Sequence, residues 1–131
     1  MSEGLADTSV WIAAEVGREL DAGALPDLLR VSAITLGELQ AGVLAATEPV
    51  ITASRMRTLR VAQESEPLPV DGAVAEEWAL MRVEVARAQR RVNVNELWIA
   101  ATARANRLPV VSQDGGFDVL AGLGLIDLIR V

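Results

Sequence analysis

Residues Gly4 to Ala13 read GLADTSVWIA, a nearly continuous apolar run with a carboxylate, Asp7, at its middle. An ionised Asp in apolar surroundings is costly unless it is paired, hydrogen-bonded or bound to a cation. Leu5-Ala6-Asp7 reads as the end of a short strand, with Thr8 and Ser9 as caps leading into a helix over Val10 to Glu15. The stretch predicts a strand whose carboxyl end delivers an acid to the start of a helix.

Working outward, strands and helices alternate. Leu25 to Leu29 reads as helical, Arg30 to Ile34 as a second strand, and Thr35-Leu36-Gly37-Glu38 opens a helix that runs to about Ala46. Pro49 to Glu64 reads as another helix, and Pro67 and Pro69 punctuate an extended piece. Val74, Trp78, Met81 and Val85 recur at helical spacing, predicting a helix from about Asp71 to Gln89. Asn95 opens a further helix, Glu96 to Ala105. It is followed by a strand at Pro109 to Ser112, a turn at Asp114-Gly115-Gly116 and a last strand at Ile126 to Val131. Trp11, Trp78 and Trp98 each lie in an apolar helical pattern and read as core. Strands separated by helices imply an α/β fold with a parallel sheet covered on both faces. Ligands of such sheets gather at the carboxyl ends of the strands, where Asp7 stands.

Composition narrows the chemistry. The 131 residues suit one domain over 1–131, and an apolar half with an ordinary charged fraction indicates a globular chain. No apolar run approaches the roughly 18 residues of a membrane span, and no signal peptide precedes the fold, so the expectation is a cytoplasmic protein without membrane association. Histidine, cysteine, tyrosine and lysine are all absent, and the 12 basic residues are all arginine. That excludes histidine bases, cysteine nucleophiles, the usual zinc sites and lysine chemistry. Carboxylates with a hard cation, or no catalysis, remain. The net charge of −6 argues against a general basic coat for nucleic acid while leaving room for a local arginine-lined groove. Arg55, Arg57 and Arg60 on one helix, and Arg82, Arg87, Arg90 and Arg91 trailing another, read first as solvated faces. The alternative is that some of them contact phosphate.

Four acids are candidates, and each has a structural explanation. Asp7 could accept bonds from a helix start, and Glu38 would complete a Thr-x-x-Glu capping box with Thr35. Glu96 follows Asn95 in a first helical turn, where the macrodipole favours an anion. Asp114 precedes two glycines in a turn. Their common placement weighs against four separate accidents. All four should project toward one rim of the sheet, and clustered carboxylates repel unless a cation joins them. Oxygen ligands suit Mg²⁺ or Mn²⁺, which on carboxylates most often serve phosphate chemistry. Acid-pocket phosphatases and receiver domains also place an Asp after a first strand. The former need a second Asp where Ser9 stands, and both need a lysine.

The segments DTSVWI (Asp7 to Ile12), VSAITLGELQAGV (Val31 to Val43), VNELWIAATA (Val94 to Ala103) and VVSQDGGFD (Val110 to Asp118) resemble, in order, the motifs of the PIN domain, and more narrowly those of VapC toxins from VapBC toxin–antitoxin modules. The resemblance implies a three-layer α/β/α fold and a Mg²⁺- or Mn²⁺-dependent endoribonuclease holding one or two ions. It further implies inhibition by a VapB-type antitoxin, an RNA substrate and a homodimer. Asp7, Glu38, Glu96 and Asp114 would be catalytic, with Asp7, Glu96 and Asp114 on the metal. Thr8, Ser9, Thr35, Asn95 and Ser112 fall where the family places supporting polar groups. An apolar groove between the helix Pro49 to Glu64 and the one near Ala13 would take a partner helix. Two departures stand out. Glu96 replaces the family's usual Asp, and Gly116 replaces an acid before Phe117. They imply the alternative reading, a weakened PIN domain that binds antitoxin and RNA without efficient cleavage.

Overall fold

The computed structural model describes residues 1–131, running β1 (Glu3–Ala6), α1 (Thr8–Val16), β2 (Leu28–Arg30), α2 (Ala33–Ala45), α3 (Pro49–Gln63), α4 (Gly72–Arg87), α5 (Val94–Ala105), β3 (Val110–Ser112), α6 (Asp118–Gly122) and β4 (Leu128–Arg130). The four strands pair in the order β2-β1-β3-β4, all parallel. β1 therefore has β2 on one side and β3 on the other. Chain connections leave it in opposite directions, which opens a crevice at the carboxyl ends of β1 and β3.

Alternation along the central strands divides the interior in two. Leu5 and Val110 face one core with Val74, Met81 and Val85 of α4, the buried face of α5, and Phe117 and Leu120. Their neighbours Ala6 and Val111 face the other, with Val10 and Trp11 of α1, Leu39 of α2, and Leu59 and Ala62 of α3. A period of two on a sheet buried on both sides makes this a three-layer α/β/α fold. Gly4 lets the central strands approach, because a Cβ there would meet Val111 Cγ2 at 2.5 Å and Pro26 Cγ at 3.0 Å.

Several local expectations shift. Leu25 to Leu29 is not helical, and the second strand lies at Leu28–Arg30 rather than Arg30 to Ile34. Pairing of Glu3, Gly4 and Leu5 with Leu28, Leu29 and Arg30 selects that segment over the more β-prone Val31 to Ile34. Ser32 then ends the strand by capping α2, its hydroxyl accepting from Thr35 N–H at 3.0 Å. The helix thus starts two residues before Thr35, and the capping box of Thr35 with Glu38 does not form. Asn93, not Asn95, caps α5, accepting from the N–H groups of Asn95 and Glu96. The short α6 carries no sequence signal strong enough to separate it from the turn before it. Trp11 is core as expected. Trp78 and Trp98 are half-buried and stack with ring centroids 4.7 Å apart, and Arg82 lies over the Trp78 ring.

Candidate active site

The carboxyl end of β1 turns directly into α1, and Asp7 stands at the junction as the N-cap residue. Its side chain does not cap the helix. Instead the carboxylate accepts from Ser9 Oγ at 2.6 Å and from Ser112 Oγ, at the end of β3, at 3.1 Å. Ser9 and Ser112 in turn accept the N–H groups of Gln113 and Asp114, which ties the loop after β3 to the start of α1. Asp7 is 4% exposed. Burial is the main reason its pKa rises from 3.8 to about 6, with Asp114 adding to the rise and the two serine hydroxyls opposing it.

Glu38 projects from the second turn of α2. Freed of any capping duty, its Oε1 accepts from Thr8 Oγ1 at 2.8 Å, and that hydroxyl lies 3.1 Å from Thr35 Oγ1. The supporting hydroxyls therefore reach the acids in two sets, Ser9 and Ser112 on Asp7, and Thr8 with Thr35 on Glu38. Glu96, in the first turn of α5, has its pKa raised by burial first and then by Asp114, Asp7 and Glu38. Asp114 holds its own loop, accepting Gly116 N–H at 3.0 Å.

Asp7, Glu38, Glu96 and Asp114 line one cavity of about 340 Å³ together with Thr8, Ser9 and Asn95. Thr35 and Ser112 support it from behind. Four lining residues were not among the expected site residues: Ile12, Arg18, Asn93 and Ile99. Arg18 is the cavity's single basic side chain and donates to Gln113 Oε1 at 3.1 Å. Nothing in its local sequence, just beyond Gly17, marks it. The acids share the cavity without closing on a common point, and no three of them form a ready-made ligand cluster. Mutual repulsion favours that spread, and the wholly oxygen donor set suits a hard divalent ion that would draw the carboxylates inward.

Fold and cavity together define a parallel α/β protein with a carboxylate-lined pocket at its topological switch point. The PIN-domain profile matches residues 5–123, and the chain belongs to the PIN-domain family, among its VapC members. It is 46% identical to Ribonuclease VapC5 of Mycobacterium tuberculosis over 128 residues, covering 98% of this chain and 95% of that protein. Ribonuclease VapC4 of the same organism is 41% identical over 129 residues, covering 95% of each. The crystal structure of VapBC-5, a member of the VapBC family of toxin–antitoxin systems from the same organism, matches with a TM-score of 0.91, 43% identity and full coverage of both chains.

Proposed function

We propose that this chain is the endoribonuclease toxin of a VapBC-type module, dependent on Mg²⁺ or Mn²⁺ and silenced by a VapB-type antitoxin. The observation that carries the reading is the cavity at the strand ends, lined by four acids and almost lacking basic groups. Relatives named as ribonucleases and a closely matching toxin–antitoxin structure support it. Asp7, Glu96 and Asp114 would hold the ion, with Glu38 completing the acidic ring. A bound divalent ion supplies Lewis-acid neutralisation of phosphoryl charge and acidifies water, so no histidine base is required.

The chain's own residues prepare the site. Ser9 and Ser112 fix both oxygens of Asp7, and Thr8 orients Glu38, so these carboxylates would be held ready for the ion. Arg18, held by Gln113, is the group available to take a phosphate oxygen at the pocket mouth. Arg82, Arg90 and Arg91 border a neighbouring cavity with Val92 and Leu97, one residue from the Asn93 cap, and offer a path for the RNA backbone. The antitoxin helix would lie between α1 and α3, where Trp11, Ala14, Arg57 and Val61 line a cavity of about 300 Å³. A homodimer acting in the cytoplasm completes the proposal.

Incubation of the purified protein with total cellular RNA, with and without Mn²⁺, tests the reading. New RNA ends should arise only with the metal. Asp7→Asn should lower the cleavage rate by about a hundredfold or more, since it removes a charge that would hold the ion, and losing even the support of a ligand costs about 10–100-fold. Undiminished cleavage by Asp7→Asn would overturn the assignment.

A further inference from the structure

Gly116 has no backbone reason to be glycine, because only Gly17 and Gly124 among the glycines take positive φ. The reason is space. A Cβ built on Gly116 would overlap both carboxylate oxygens of Glu96 and come within 2.5 Å of its Cδ. The Glu96 carboxylate, carried in from α5, thus fills the volume that any side chain at 116 would need. Asp114 holds the 116 peptide in place through its N–H, so the loop has little freedom to retreat.

We infer that Glu96 and Gly116 work as one unit, with Gly116 a positioning residue that keeps open the seat of the Glu96 carboxylate beside Asp7 and Asp114. The inference deepens the metal-dependent reading and rests on it for its consequence. The longer Glu arm reaches across to the loop, and the bare loop receives it. The two departures noted in the sequence are then a single matched arrangement, and the site is not weakened by them separately. A side chain at 116 displaces the carboxylate at little cost to the fold, since the atoms in its way end a flexible arm.

The test uses Mn²⁺ alone as the probe, titrated calorimetrically, together with the ¹³Cδ resonance of Glu96 in the metal-free protein. Gly116→Ala should move that resonance and weaken Mn²⁺ binding about tenfold or more, the usual cost of disturbing the support of a ligand. In a Glu96→Ala background the same substitution should cost nothing further, which is the signature of coupled residues. Glu96→Asp should also weaken binding, and Glu96→Asp with Gly116→Asp should recover most of it, because the loop then supplies the acid that the shortened arm withdraws. An unmoved resonance with unchanged affinity, or a Gly116→Ala loss that persists without Glu96, would overturn the pairing. If the resonance moves but the unsubstituted protein binds no Mn²⁺, the pairing stands and the metal-dependent reading falls.

Discussion

At the scale of the residue, Asp7 carries most of the electrostatic strain. Its carboxylate is buried among hydroxyls, and burial above all raises its pKa from 3.8 to about 6. The folded state therefore holds this proton more tightly than the unfolded chain does. Stability falls as pH rises from about 4 to about 6 and stays reduced above that, by about 3 kcal/mol for a shift of this size. Glu96, shifted the same way, adds to the trend. Asp7→Asn removes the charge and should raise the melting temperature of the metal-free protein at pH 8 while leaving it nearly unchanged at pH 4. Thermal unfolding across that range checks the sign, and a fall at pH 8 would contradict it. Asp7 itself was legible in the sequence because a lone carboxylate in an apolar run needs an explanation. The Ser112 half of its hydroxyl pair was reached only through the family resemblance, since local spacing carries no record of a contact across 105 residues.

At the scale of the element, helix starts decide what the acids are free to do. The Thr35–Glu38 spacing matches a capping box, yet Ser32 does the capping and Glu38 turns to Thr8. Ser32→Ala should cost about 1 kcal/mol, the usual loss of a helix cap. Glu38→Gln should change stability by no more than about 0.5 kcal/mol, as substitutions away from structural roles do. Denaturant titration of both variants separates the alternatives, and a larger loss for Glu38→Gln would restore the capping box. Spacing could not resolve this point. Ser32 and Thr35 both offer cap hydroxyls, and pairing of Leu28–Arg30 with β1 sets where β2 ends and so where α2 begins. At α5 the same ambiguity arises between Asn93 and Asn95. There the true cap leaves Asn95 on the cavity wall.

At the scale of the whole molecule, the parallel order β2-β1-β3-β4 gathers acids from both ends of the chain at one crevice. An acidic protein with its carboxylates so arranged should gain stability from a divalent ion by mass action. At an ion concentration 100 times the dissociation constant the gain is about 2.7 kcal/mol, several degrees in melting temperature for a chain of this length. The shift should be larger at pH 8 than at pH 5, where protons compete for Asp7 and Glu96. Melting curves with Mn²⁺ at both pH values measure it, and an equal shift at both would remove these two acids from the ion's ligands.

The sequence by itself determined the alternation of strand and helix, the chemistries ruled out by the missing His, Cys, Lys and Tyr, and which acids deserved attention. Those are matters of local periodicity and composition. Only the tertiary structure decided that Ser32 frees Glu38, that Arg18 enters the cavity and that the Glu96 carboxylate sits over Gly116. Each of these depends on segments far apart in the chain, brought together by β1 pairing with β2 and β3. Spacing along one segment carries no record of what another will place against it.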